Sequence, residues 1–231
     1  MCKLREAVSA ILLLSGLLLN PAEAALVELV VTGNIDTTNG AVRPASGSSV
    51  TVKAVYNTDY IDTDLSSSTG RFYDIAGNTT SLISIGVTTD LGTVNFTTSD
   101  SSQSTPPIVT QIQVPGLSQS LDTSTISATG FTGSLGSITN PSLLKFVLGD
   151  ADLGQIFTDP NVLLSANTSG PLDLSQMFGY VAIQDVLSGA SSEMSFSATS
   201  YSVSAVPLPA SAWLLGSGLI GFFGLARCKP A

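Results

Sequence analysis

Met194, Phe196 and Ala198 alternate with Ser195, Ser197 and Thr199, and this two-residue period confines the segment 194–204 to a strand with one apolar and one hydroxylated face. Residues 50–56 repeat the pattern, with Val50, Val52, Ala54 and Tyr56 set against Thr51, Lys53 and Val55. Similar short runs recur along the chain, separated by clusters of Gly, Ser, Thr, Asn and Asp, which end strands and start turns. Strands are predicted at 26–32, 50–56, 71–74, 81–88, 93–98, 108–114, 125–132, 179–186 and 194–204. Asp90-Leu91-Gly92 pairs the fourth and fifth of these as a hairpin, while 35–49, with Asn39-Gly40 and Pro44, reads as loop-rich. Segment 140–149 fits two states. Asn140, Pro141 and Gly149 suit the cap, first turn and end of a short helix, whereas its apolar run suits a strand, the side favoured here. No fixed-period repeat and no long helical pattern interrupt this order. The pattern predicts an all-β fold, an antiparallel β-sandwich over 25–205.

The two ends of the chain follow different rules. Lys3 and Arg5 precede an apolar run over 7–19, Asn20-Pro21 breaks it, and Ala22-Glu23-Ala24 offers small residues where a signal peptidase reads. Residues 1–24 therefore predict a signal helix cleaved after Ala24. At the other end, Pro207 and Pro209 stop the last strand. From Ala210 an uncharged run covers about 25 Å as a helix, near the short limit for a bilayer span. Arg227 and Lys229 end that run and favour a cytoplasmic C-terminus.

Val206-Pro207-Leu208-Pro209-Ala210, then Trp213-Leu214-Leu215-Gly216-Ser217-Gly218-Leu219-Ile220-Gly221 and a basic end, resembles the PEP-CTERM sorting signal in its VPLPA variant. Leu208 stands where many members carry Glu, and Cys228 interrupts the basic cluster. The resemblance implies export from a Gram-negative bacterium that makes extracellular polysaccharide, with an exosortase processing the tail near the Pro-x-Pro. Residues 206–231 would be the sorting signal with its transmembrane helix. A second likeness covers 30–91: Thr32-Gly33, Val50-Thr51-Val52, Tyr56-Asn57, Asp62-Thr63-Asp64 and Gly70-Arg71-Phe72-Tyr73 resemble a β-rich ectodomain found ahead of such tails. Here Asn57 replaces an Asp and Phe72 sits ahead of Tyr73.

Composition narrows the chemistry of the body. Between Ala25 and Ala205 the basic residues are Arg43, Lys53, Arg71 and Lys145, against fifteen acids, a balance of 4 − 15 = −11. Phosphate backbones are repelled by that sign, so no nucleic-acid partner is expected. The chain has no histidine, which removes imidazole bases and Ser-His-Asp triads. Both cysteines, Cys2 and Cys228, lie in the end segments, so the body has no disulfide and depends on burial and sheet pairing.

Asn57, Asp59, Asp62 and Asp64, with Asp74 across a hairpin, form the densest polar constellation. Closely spaced carboxylates can supply several of the oxygens that calcium requires, but this spacing lacks the Gly and the bidentate Glu of an EF-hand loop. The same residues also suit an acidic, solvated loop that discourages edge pairing. Asp150 and Asp152, with Asp159 downstream, offer a carboxylate pair to glycosidase chemistry, although Asp-Ala-Asp after a Gly is more simply a turn. Tyr56, Tyr60, Phe72 and Tyr73 could stack on a sugar or fill the core, and core packing is the better reading. Asn78, Asn95 and Asn167 lie in Asn-x-Ser/Thr sequons that a bacterial chain does not need. The sequence thus predicts a non-catalytic exported protein with no obligatory cofactor, calcium being the one candidate. Its processing partners would be signal peptidase and exosortase. It would be held first at the inner membrane, then at the cell surface or in the polysaccharide matrix, with carbohydrate binding as the alternative.

Overall fold

The structure is a computed structural model that describes residues 26–64, 66, 68–74, 79–98, 107–114, 121–150, 156, 173–185 and 187–206. The predicted signal peptide 1–24 with Ala22 and Ala24, the motif residues Pro207, Leu208, Pro209 and Ala210, and Arg227 and Lys229 lie outside the described residues. Among the described residues no helix is long and apolar enough to cross a membrane.

Residues Ala25–Ala205 form one compact unit, and it is all-β. In chain order the strands are β1 Leu26–Gly40, β2 Ser49–Asn57, β3 Thr69–Arg71, β4 Tyr73–Asp74, β5 Thr79–Thr80, β6 Leu82–Thr89, β7 Gly92–Thr97 and β8 Ile108–Val114. There follow β9 Leu121–Thr129, β10 Thr132–Leu135, β11 Ile138–Thr139, β12 Leu143–Asp150, β13 Met177–Gln184 and β14 Ser191–Ala205. Every pairing is antiparallel, and twelve strands form one sheet in the order β11-β10-β7-β6-β2-β1-β14-β13-β12-β9-β8-β3, with β4 and β5 as a separate pair. Hydrogen bonding therefore links the strands into one curled sheet.

Curling brings distant parts of the ladder together. The Asn57 N–H donates to the Ser81 carbonyl (2.8 Å), the Ser81 N–H to the Phe72 carbonyl (3.0 Å), and the Phe72 N–H to the Val109 carbonyl (3.0 Å). These three bonds carry backbone pairing from the end of β2 across to β8, six strands away in the order. Phe72, at the centre of the junction, is fully buried. One face of the sheet consequently encloses a single core, to which β1 gives Val27, Leu29, Val31 and Ile35, β2 gives Val50, Val52 and Ala54, and β12 gives Leu144, Phe146 and Leu148. The period of two in the sequence is the period of burial: β2 reads exposed, buried, half-buried, buried in turn along its length.

The middle of the sheet is the pairing of β1 with β14, two strands of 15 residues each. Its register shifts between Thr32 and Gly33 and again between Ile35 and Thr37. These bulges add twist and bend where the sheet must curl. They also shorten the loop expected at 35–49, which is confined to 41–48 between β1 and β2. Residues 35–40 stay in β1 because Thr37, Thr38 and Asn39 pair with Ser195, Met194 and Glu193, and Ser192 Oγ donates to the Asn39 and Val42 carbonyls. At 140–149 the strand prevails: β12 is flanked by β9 and β13 on its two sides, and Asn140, with φ 47°, makes the turn before it.

Phe196 of β14 is fully buried and fits between two glycines on the flanking strands. A Cβ on Gly179 of β13 would stand 1.9 Å from its Cζ, and one on Gly33 of β1 would stand 2.3 Å from its Cδ2. Both glycines face the core because the ring occupies the space that their side chains would fill. Gly179→Ala is expected to cost about 1–3 kcal/mol, the usual range for overpacking a tight core. Pairing it with Phe196→Leu should return part of that loss; urea midpoints of the two single variants and the double variant measure the coupling.

Candidate functional site

The acidic loop leaves β2 at Asn57, which pairs with Leu26 at the start of β1. Its carboxylates turn inward on their own backbone. Asn57 Oδ1 accepts the Asp59 N–H (2.9 Å), and Asp62 Oδ1 accepts both the Asp64 N–H (2.8 Å) and the Arg71 N–H (2.7 Å). Asp64 Oδ1 accepts the Ser66 N–H (3.0 Å), while its Oδ2 lies 3.7 Å from Arg71 Nη2. The Arg71 guanidinium carbon also stands 5.6 Å from the centre of the Tyr73 ring. From the other side Thr63 donates its N–H and hydroxyl to the Arg71 carbonyl, and the hydroxyl also reaches the Tyr73 carbonyl. The short side chains of Asn and Asp favour such local turns. The loop is stitched to β3 and β4 by them.

Among the described residues no group of three acidic, histidine or cysteine side chains stands close enough to hold a metal ion. Asp59, Asp62, Asp64 and Asp74 are therefore not brought together as a carboxylate cage. Asp62 and Asp64 each have an oxygen engaged by backbone amides. The other candidates are separated as well. Asp150 is fully buried at the end of β12, opposite Asp122 of β9 and Met177 of β13, whereas Asp152 and Asp159 lie outside the described residues. Of the aromatic set, Tyr56 and Phe72 are in the core, Tyr60 packs half-buried against it and Tyr73 is half-buried. Core packing claims Tyr56, Phe72 and Tyr60, while the Tyr73 ring lies under the Arg71 guanidinium. Asn95 is exposed on β7, and Asn78 and Asn167 lie outside the described residues. Val206 is half-buried directly after β14.

One surface feature was not anticipated from the sequence. Register places Ser200, Thr32, Thr51, Thr88, Thr93 and Ser134 in a single row across β14, β1, β2, β6, β7 and β10. At the usual strand separation the row is about 24 Å long. All six are exposed or half-exposed, and two neighbouring pairs bond through their hydroxyls, Thr88 with Thr93 at 3.0 Å and Thr32 with Thr51 at 3.5 Å. Such pairs support the sheet, and their remaining donors and acceptors face solvent. Each threonine is visible in the sequence. Their alignment depends on five registers that the sequence does not display.

Two phenols sit where the chain ends of the body meet. Burial pushes the Tyr56 hydroxyl well above the ordinary tyrosine range, and the nearby Tyr201 phenol adds to the shift. Burial alone pushes Tyr201 up. Its hydroxyl has no hydrogen-bond partner among the described residues. Both groups stay neutral in the folded protein.

No known family matches the chain, and no curated protein or solved structure matches it significantly.

Asp62→Ala removes the acceptor for two backbone amides and should cost about 1–2 kcal/mol in urea unfolding, with Asp62→Asn, which keeps an acceptor oxygen, costing less. For the phenols, folded pKa values lie above unfolded ones, so their contribution to stability is complete below about pH 10 and declines as pH rises beyond it. Tyrosinate absorbance from Tyr56 and Tyr201 should therefore rise together with loss of the β-sheet circular dichroism signal, not before it.

Proposed function

We propose that this chain is an exported, non-catalytic protein of the cell surface or polysaccharide matrix, sorted by an exosortase through residues 206–231. Signal peptidase would release the body after Ala24, reading Ala22 and Ala24. The tail, with Arg227 and Lys229 as its stop, would hold the precursor at the inner membrane until processing near Val206, Pro207, Leu208, Pro209 and Ala210. The observation that carries the reading is the extent of the body. Its first strand begins at Leu26, two residues after Ala24, and its last ends at Ala205, the residue before Val206. Within this reading the curled sheet acts as a β-sandwich, its two halves packed over the shared core, and calcium is not required for the fold.

A second reading, a carbohydrate-binding module, is favoured by the row of six hydroxyls on the outer face; an optional calcium at Asp59, Asp62 and Asp64 would have to draw Asp62 and Asp64 away from the backbone amides they accept. Hydroxyls that both donate and accept suit the hydroxyls of a neutral polysaccharide. A glycan array read with and without chelator separates the two. Saturable, chelator-sensitive binding belongs to the module, and no saturable binding to the structural protein.

Intact mass spectrometry of protein from cells and medium, in strains with and without the exosortase, tests the sorting itself. The expected mature form begins at Ala25, ends between Pro207 and Ala210, and occurs only with the enzyme. A form retaining Arg227–Ala231 in both strains would make the tail a plain anchor.

A further inference from the structure

The core claims Tyr56 and Phe72, but two other aromatic side chains lie on the outer face of β13. Phe178 and Tyr180 are two residues apart in that strand, so they project from the same side of the sheet about 7 Å apart. Phe178 is 39% exposed, a large apolar side chain left in water. Its partner on β12, Gly149, sets the pose of the ring. A Cβ on Gly149 would stand 2.2 Å from Phe178 Cζ and 2.7 Å from both Cε atoms, a position over the ring face and not beyond its edge. One face of the ring therefore covers the Gly149 backbone, and the opposite face is turned away from the sheet. Tyr180 is half-buried, and its hydroxyl donates to the Glu193 carboxylate of β14.

The strand beside these rings is polar where it faces outward. Ser197 stands opposite Phe178, Ser195 opposite Tyr180 and Glu193 opposite Ala182. Both serines are held from β1: Ser197 Oγ donates to Asp36 Oδ2 at 2.8 Å, and Ser195 Oγ meets Thr37 Oγ1 at 2.7 Å. An aromatic strip thus runs along β13 with a strip of fixed hydroxyls and carboxylates next to it on β14. The negative π face of an aromatic ring attracts the C–H groups on one side of a sugar ring. Hydroxyls and carboxylates alongside accept and donate to the sugar's own hydroxyls. Apolar surface with a few placed polar groups is the usual make-up of a small-ligand site. Asp36 and Glu193 also decide the charge of the ligand. With Lys145 facing the same side from β12, opposite Ala182, the strip keeps an acidic balance that repels uronate and sulfate groups.

Resting on the carbohydrate-binding reading above, we infer that Phe178, Tyr180, Ser195, Ser197 and Glu193 form a platform for a neutral hexose polymer. Phe178 stacks on a sugar ring, Tyr180 extends the apolar strip along the strand, and the β14 side chains bond the sugar hydroxyls. This site is separate from the hydroxyl row, which starts at Ser200 and runs away from β13.

The test uses the full chain in detergent on an array of neutral hexose and uronate oligosaccharides, with affinities then taken by titration calorimetry. Neutral glycans should bind saturably and uronates more weakly. Phe178→Leu keeps an apolar cover over Gly149 but has no ring face. It should hold its urea midpoint near that of wild type and weaken binding by about tenfold, or ~1.4 kcal/mol, whereas Phe178→Trp should bind at least as tightly as wild type. Glu193→Ala, at an exposed position, tests the polar strip without touching the ring, and a several-fold loss is expected. Thr88→Val with Thr93→Val, on the hydroxyl row, should leave the affinity unchanged. Wild-type affinity in Phe178→Leu and Glu193→Ala, or uronates bound as tightly as neutral glycans, would overturn the inference and leave the carbohydrate reading standing. A chain that binds neither class of glycan contradicts both.

Discussion

The fold depends on the pairing of β1 with β14. These are the longest strands, they come from the two ends of the body, and they lie side by side at the centre of the ladder. On the β1 side hang β2, β6, β7, β10 and β11; on the β14 side hang β13, β12, β9, β8 and β3. Neither wing can enclose the core without the other. Closing about 165 residues of chain before this contact forms is entropically costly, which makes such a topology slow to fold. No disulfide shortens that loop, since the body contains no cysteine. The compensation is burial: Val27, Leu29, Val31, Ile35, Met194 and Phe196 are all nearly inaccessible to solvent.

The same pairing explains where the bends fall. A long sheet with one buried face has to curl, and the register shifts of β1 against β14 supply local twist. Gly33 stands at the first shift and makes room for Phe196 there, with Gly179 opening the other side. At the far reach of the curl, Phe72 and Ser81 join the β2 end to β8 through backbone bonds. The outer face keeps hydroxyls in cross-strand pairs. Its ion pairing is slight: Lys53 Nζ meets Glu28 Oε2 at 2.6 Å, both on the solvent side, and an exposed pair of this kind contributes only about 0–1 kcal/mol.

Much of the fold was legible in the sequence because one face is buried and the other is wet. Alternation located β2, the β6–β7 hairpin and β14 to within a few residues, and it favoured a strand at β12 over the helix suggested by its capping residues. It failed where both faces are polar. Residues 36–40 carry no apolar signal, and only their pairing with β14 keeps them extended. The short strands β10 and β11 were missed for a related reason: each is held by neighbours remote in sequence or by a tight turn, not by its own pattern. The acidic loop was visible as a cluster, but sequence could not say that Asp62 and Asp64 would be spent on the amides of Asp64, Arg71 and Ser66. Buried Asp150 gave no signal of its burial either, since its neighbours on β9 and β13 are set by register alone.

If β1 and β14 form the spine of the body, their central amides should be the last to exchange. Native-state hydrogen exchange, read residue by residue across a urea series, tests this most directly. The account predicts that amides in the middle of the pair, around Val31 and Phe196, exchange only through global unfolding. Amides in the outlying β10 and β11 should exchange through smaller openings. Were β12 and β13 to stay protected while the centre of β1 and β14 opened in a separate, lower-energy step, the spine would lie elsewhere and the account would be wrong.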